Sequence, residues 1–457
     1  MLMPSGDIDP FHAVRFANYR LFASGFVCSS TGLQMLSAAV LWEVYERTQS
    51  AMAIGLVGLC RALPVVALAL PAGQIVDFAR RERVLVVTQV GMALAAASLA
   101  WASFISAPIW VFYALMVLMG CARSFNGPSR SSLLPQLVDA GAFTSAVTWN
   151  SGIFQFAAVS GPLLTGAMLV WFGAAWPVYA VTAALCMVMA FTGAMLRPRA
   201  MGTPVAAGGG GSGPAARRMS LSGMLDGVRH VYREKLILAT ITLDLFAVLL
   251  GGATALLPIY AKDILHVGPM GYGLLRASPY VGALMMAIVM AYRPPMQRAG
   301  PALLLAVGCY GLSIVGFGLS ETAWLSAALL AIGGAADNIS VIIRHVLVQA
   351  CTPEYLRGRV SAVNSVFIES SNELGSFESA VVAHQFGPVI SAVSGGVGTM
   401  VVVGAVALIW PQLRRLGSLE AAMAAQQRAS EAQVASADRL AAEDSLAVPA
   451  AVITAQK

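Results

Sequence analysis

The chain has 457 residues, 58% of them apolar and only 11% charged. A soluble protein of that composition would lack polar surface to cover itself, so most of this chain's solvent is lipid. Its formal net charge of +6 is carried by loops predicted to face one side of a membrane, which argues against nucleic-acid binding and for attraction to an anionic lipid face.

The first predicted span follows a charged, aromatic segment, His12 to Arg20, without a small-residue cleavage site, and therefore reads as a retained helix rather than a signal peptide. Uncharged stretches of about twenty residues, enough to cross about 30 Å of hydrocarbon, lie near Leu21 to Trp42, Ala53 to Val76, Val84 to Phe104, Pro108 to Phe125, Phe143 to Val170 and Ala174 to Leu196. A second group lies near Leu236 to Tyr260, Met270 to Tyr292, Pro301 to Leu319, Ala323 to Ile343, Val360 to Phe386 and Pro388 to Trp410. Lipid offers no partner for backbone amides, so these spans must be helices. The expected fold class is an all-α membrane protein with twelve transmembrane helices in two pseudo-symmetric six-helix bundles, residues 21–196 and 236–410. A cytoplasmic segment 1–20 precedes them, and a linker 197–235 joins them. That linker starts with a Gly-rich run and ends in an amphipathic helix with Leu221, Leu225, Val228 and Tyr232 on one face. The Ala-rich segment 411–457 has no core of its own.

Duplication supports the two-bundle reading. Leu59-Cys60-Arg61-Ala62-Leu63-Pro64 recurs as Leu274-Leu275-Arg276-Ala277-Ser278-Pro279, and Ser145-Ala146-Val147 recurs as Ser361-Ala362-Val363 at almost the same offset. Parallel repeats about an axis along the membrane normal are a common architecture of secondary transporters. With a cytoplasmic N-terminus, the inside loops hold Arg80, Arg81, Arg83, Arg123, Arg130, Arg344, Arg357 and Arg359 among others, against Arg47 and Lys262 outside. That asymmetry places both termini in the cytoplasm.

Polar residues inside the spans carry the functional question, because a charge in hydrocarbon needs a partner or a wet cavity. Arg61 and its repeat mate Arg276 are cavity candidates. Arg61 either pairs with an acid, caps carbonyls freed by Pro64, or meets substrate. Gln34 is a neutral cavity candidate, while Asn150 and Gln155 read as interhelical hydrogen-bonding residues. Glu43, at the outer end of the first helix, is expected to be solvated. Asp244 and the Asp337-Asn338 pair supply acceptors for a cationic or hydroxyl-rich substrate, and Asp244 is also a proton-coupling candidate.

The eleventh helix supplies three acids, Glu369, Glu373 and Glu378; the first two share a face and Glu378 points elsewhere. An acid alternating between a wet state and a guanidinium-paired state can take up and release a proton. The competing reading is a static Arg to Glu lock between the bundles, for which depth favours Glu378 over Glu373. Six singly scattered cysteines without a C-x-x-C pair, and histidines without a ligand cluster, predict no metal site. No nucleophile, base and orienter can be assembled inside the spans, and no Gly-x-x-x-x-Gly-Lys motif is present, so neither an enzyme nor an ATP-driven pump is expected.

Gly73-Gln74-Ile75-Val76-Asp77, followed by Arg80, Arg81 and Arg83, resembles the loop signature of the major facilitator superfamily, which implies a cytoplasmic gate built from Gly73, Asp77 and these arginines. It departs at Phe78, where the pattern has a basic residue, and the second-half counterpart, Tyr292 to Arg298, is degenerate at Pro294 and Pro295. Gly152, Gly161, Pro162 and Gly166 loosely resemble the antiporter motif of exporters. Arg123-Ser124-Phe125-Asn126-Gly127-Pro128-Ser129-Arg130 with Leu133-Leu134-Pro135, Arg357-Gly358-Arg359-Val360-Ser361, Asn372-Glu373-Leu374-Gly375 and Phe377-Glu378-Ser379 resemble the bacterial exporter branch that includes the enterobactin (siderophore) exporter. The resemblance covers nearly all of residues 11 to 416. It implies a monomeric efflux transporter of the bacterial inner membrane, driven by the proton gradient without a bound cofactor and moving a siderophore, drug or metabolite by alternating access. Relative to the branch pattern Glu369 is an extra acid. A proton-linked importer or facilitator shares the architecture, and a nontransporting sensor is a more distant alternative.

Overall fold

A computed structural model of the chain describes residues 11–197, 228–229, 231–293, 296–353 and 356–418, apart from the side chains of 69, 70, 74, 77, 140, 357–359, 361–363, 365, 366 and 369. Most of the expected linker helix and nearly all of the Ala-rich segment lie outside the described residues.

The first six long helices are α1 (Ala17–Thr48), α2 (Ala51–Phe78), α3 (Arg81–Phe104), α4 (Ile109–Leu137), α5 (Phe143–Phe172) and α6 (Trp176–Met195). The second six are α7 (Lys235–Leu250), α8 (Gly268–Tyr292), α9 (Ala299–Leu319), α10 (Ala323–Ala350), α11 (Arg357–Phe386) and α12 (Pro388–Ile409). Their ends follow local chemistry. Gly173 ends α5 with a left-handed φ of 64°, and Gly387, with φ 92°, separates α11 from α12, which starts on Pro388. Among the described residues, eleven of the long helices are apolar enough to cross a membrane by length and composition. The exception is α11, which carries Glu369, Glu373 and Glu378 and is held in place by its packing against α2, α7 and α12.

In the first half, α1 packs on α5 and α6, α3 on α4 and α6, and α2 on α4. In the second half, α7 packs on α11 and α12, α9 on α10 and α12, and α8 on α10. The halves meet crosswise, α5 on α8 and α2 on α11. Since the sequence repeat pairs α2 with α8, the two crossings are one contact made twice. Both depend on small residues: a Cβ on Gly166 would come within 2.8 Å of the Pro269 carbonyl, and one on Gly55 within 2.6 Å of the Ala380 methyl. Backbones can approach this closely only where side chains are absent.

Hydrogen bonds joining the halves among the described residues run from mid-helix toward the side away from the chain's N-terminus. Tyr45 donates to Asp263, the Tyr272 hydroxyl to the Ala38 carbonyl at 3.0 Å, and Gln155 Nε2 to the Tyr280 carbonyl at 3.0 Å. Toward the N-terminal side, Ile75 and Phe78 of α2, Phe154 of α5 and Ile288 and Tyr292 of α8 stand exposed. A Leu at Gly166 removes the α5 to α8 seat at a cost of about 1–3 kcal/mol for the closed side. In a cysteine-free background, Gly166→Leu is therefore expected to increase labelling of a cysteine placed at Ala38 by an impermeant thiol reagent several-fold. Unchanged labelling would show that this crossing does not hold the side shut.

Candidate functional site

The repeat arginines converge on one hydroxyl. Ser37 Oγ, two-thirds of the way along α1, accepts a hydrogen bond from Arg61 Nη1 at 2.9 Å and another from Arg276 Nη2 at 2.9 Å. Arg61 turns its other terminal nitrogen to Glu373 Oε1 of α11, 2.6 Å away, and both side chains of this ion pair are about four-fifths buried. Local sequence makes room for the acid: Gly58 lies one turn before Arg61, and a Cβ there would sit 3.2 Å from Glu373 Oε2. The next residue of α1, Ala38, accepts the Tyr272 hydroxyl, whose ring packs on Trp42 with centroids 5.3 Å apart. Four helices from both halves, α1, α2, α8 and α11, are thus tied at one node. A narrow gap beside it is lined by Arg61, Ala62, Val65, Val66, Arg123 and Glu373.

The node is electrostatically lopsided. Two guanidinium nitrogens bonded to one oxygen lie no further apart than twice that bond length, where like charges repel by about 3 kcal/mol at an effective dielectric of about 20. Glu373 compensates Arg61. Arg276 forms no ion pair among the described residues.

The other predicted residues distribute as follows. Depth favoured Glu378 as the partner of Arg61, but the pair is made by Glu373. Glu373, Ser376, Phe377 and Ala380 approach α2, whereas Glu378 is five residues on and about 140° further round the helix. It accepts a hydrogen bond from Ser379 at 3.4 Å and forms no ion pair among the described residues. The side chain of Glu369 lies outside the described residues.

Asp244 of α7 pairs with Arg344, and both are buried within the second half, away from the node. Arg344 is in α10 and not in a loop, because α10 continues past the expected end at Ile343 to Ala350. Asp337 lies half-buried beside Tyr310 of α9, whose hydroxyl donates to the Gly251 carbonyl at 2.9 Å. Asn338 Oδ1 is buried without a hydrogen-bond partner among the described residues. Gln34, one turn before Ser37, packs against Gly161 of α5, where a Cβ would meet its own Cβ at 2.6 Å. Gly161 and Gly166 are therefore packing glycines, while Gly152 meets nothing within 4 Å.

At the expected gate, Gly73 lies in the last turns of α2, and the side chain of Asp77 is outside the described residues. Arg80 Nε bonds Glu82 Oε1 at 2.7 Å, Arg81 Nη1 donates to the Ser132 carbonyl at 3.2 Å, and Arg83 is exposed. These contacts stay within the first half.

Glu43, expected to be solvated, is buried. Since α1 runs on to Thr48, the acid sits more than a turn inside, where Ser103 and Tyr179 donate to it at 2.7 Å each and Arg47 pairs with it. The Arg47 guanidinium also lies 5.0 Å from the Phe112 ring centroid and donates to the Ser103 and Ala107 carbonyls. Removing the carboxylate strands three donors, so Glu43→Ala is expected to destabilise by about 2–4 kcal/mol, read as a lowered thermal unfolding midpoint in detergent. An unchanged midpoint would contradict the network.

The residue that composition and spacing did not single out is Ser37. A lone serine in an apolar span carries no periodic or charge signal.

Residues 8–441 match the protein family described as transmembrane secretion effector. The multidrug efflux pump Tap of Mycolicibacterium fortuitum is 24% identical over 405 residues, spanning 87% of this chain and 96% of Tap. The enterobactin exporter EntS of Citrobacter koseri is 25% identical over 399 residues, spanning 86% of this chain and 92% of EntS. Among solved structures, a bacterial homologue of the human lysosomal transporter Spinster, inward-facing and unoccupied, gives a TM-score of 0.66 at 12% identity over 89% of this chain and 98% of that one. A D-xylose-proton symporter gives 0.64 at 11% identity over 85% and 96%. These structural likenesses establish the fold.

Proposed function

Since the chain belongs to the transmembrane secretion effector family of the major facilitator superfamily, and is thus a multi-pass membrane transporter and not an enzyme, we propose that it exports a small organic molecule in exchange for protons. The observation that carries the reading is the Arg61 to Glu373 ion pair, made across the two halves beside a gap. In this proposal the N-terminal side faces the cytoplasm of a bacterium, as the positive loops suggest, and a single chain in the inner membrane does the work.

Substrate enters between the halves from the side where α2, α5 and α8 carry exposed apolar residues. Opening the far side means parting α2 from α11 and α5 from α8, so the Arg61 to Glu373 pair breaks. Glu373, then without its guanidinium and wetted from outside, takes up a proton. On return the pair re-forms and expels that proton toward the cytoplasm, which gives exchange of one species for the other. The pair is the bistable element. Glu378 and Glu369 are secondary carriers in this scheme, Asp244 is set aside by its pairing with Arg344, and Asp77 with Arg80, Arg81 and Arg83 closes the inner side.

Purified transporter in liposomes enclosing a pH-sensitive dye tests it. A siderophore or antibiotic that is exported should move protons the opposite way, with the flux reversing when the imposed gradient is reversed. Parallel movement of solute and proton would make the protein an importer, and solute movement without pH change would make it a facilitator.

A further inference from the structure

The two repeat arginines are duplicates in sequence and unequal in charge balance. Arg61 has Glu373 at 2.6 Å, whereas Arg276 has the neutral Ser37 Oγ at 2.9 Å and its own helix neighbour Tyr272. A guanidinium carries five donors in a planar fork suited to a carboxylate, and most of those on Arg276 have no protein acceptor among the described residues. None of the acids around α8 pairs with Arg276 among the described residues. Glu43 is held by Arg47, Ser103 and Tyr179, and Asp263 by Tyr45; Asp337 of α10 lies beside Tyr310 and makes no ion pair with Arg276 among the described residues, while α5 contains no acid. Asp244, one of the two acceptors that would have suited a cationic substrate, is neutralised inside the second half by Arg344.

We propose that Arg276 recognises a carboxylate on the transported molecule; this rests on the export reading of the same node. The charge missing opposite Arg276 is then brought by the substrate. Because Ser37 joins Arg276 to Arg61, a carboxylate arriving at Arg276 also attracts Arg61 and competes with Glu373 for it. Substrate binding and release of Glu373 become one event at one node, which couples loading to the freeing of the proton carrier.

The test uses three probes of one shape, naphthoate, naphthamide and naphthylmethylammonium, with the purified full chain in nanodiscs and equilibrium dialysis as the readout. Naphthoate should bind the wild type about tenfold or more tighter than either other probe, the worth of one charge-assisted hydrogen-bonded pair. In Arg276→Gln the ratio of naphthoate to naphthamide affinity should fall toward one, and Arg276→Lys, which keeps the charge, should retain a preference. A wild type that binds none of the three, binds them equally or prefers the ammonium overturns the proposal, as does a preference that survives Arg276→Gln or is lost in both variants. The dye-filled liposomes read export separately: anion preference without counter-movement of protons removes the coupling and leaves this recognition standing.

Discussion

Replacing Glu373 with Gln should abolish proton-driven export while leaving the transporter folded in the membrane. The amide keeps the shape of the carboxylate, and its oxygen can still accept from Arg61, so the α2 to α11 crossing survives with the loss of a charge-assisted bond worth about 1–2 kcal/mol. It can no longer alternate between a charged, paired state and a protonated, wet one. Gradient-driven accumulation in liposomes is therefore expected to fall to background, while exchange of labelled for unlabelled substrate across the same liposomes continues. Full gradient-driven activity in Glu373→Gln would remove this residue from the proton path. Loss of exchange together with drive would recast the pair as a static lock.

Asp244→Ala should cost about 3–5 kcal/mol, because it leaves the Arg344 guanidinium buried without a counter-ion. The measurement is the thermal unfolding midpoint of the purified chain, with folded yield as a second readout. Replacing both partners by apolar residues of similar size, Asp244→Leu with Arg344→Met, is expected to recover most of the loss, since the desolvation of two charges disappears with their attraction. A single substitution with an unchanged midpoint would contradict a structural role. If Asp244→Asn instead left the midpoint unaltered and stopped proton movement, Asp244 would rejoin the carriers.

The apolar runs were legible because length and hydrophobicity alone decide whether a helix can cross lipid, and the repeat around Arg61 and Arg276 was legible because identical neighbours survive in both copies. What escaped was register between helices far apart in the chain. Depth along α11 put Glu378 level with Arg61, but which face of α11 meets α2 is decided by Gly55 and Gly58 on the opposing helix, and no one-dimensional pattern encodes that. Arg344 was placed in a loop because charge normally marks the end of a span, and its partner Asp244 lies a hundred residues earlier. Glu43 misled for the same reason: its partners Ser103 and Tyr179 come from α3 and α6. Ser37 carried no signal until two arginines were seen to share it.

The polarity of α11 also has a consequence for how the protein is made. A segment with several acids partitions poorly into lipid at the translocon, where each charge near mid-bilayer is penalised by about 3 kcal/mol. Its neutralising guanidinium is synthesised 312 residues earlier, so α11 gains that counter-charge only once it reaches α2 of the first bundle. Ribosomal output and bundle closure are thereby ordered in time: α11, unlike its apolar neighbours, is a late passenger that settles in lipid by docking on a first half already made.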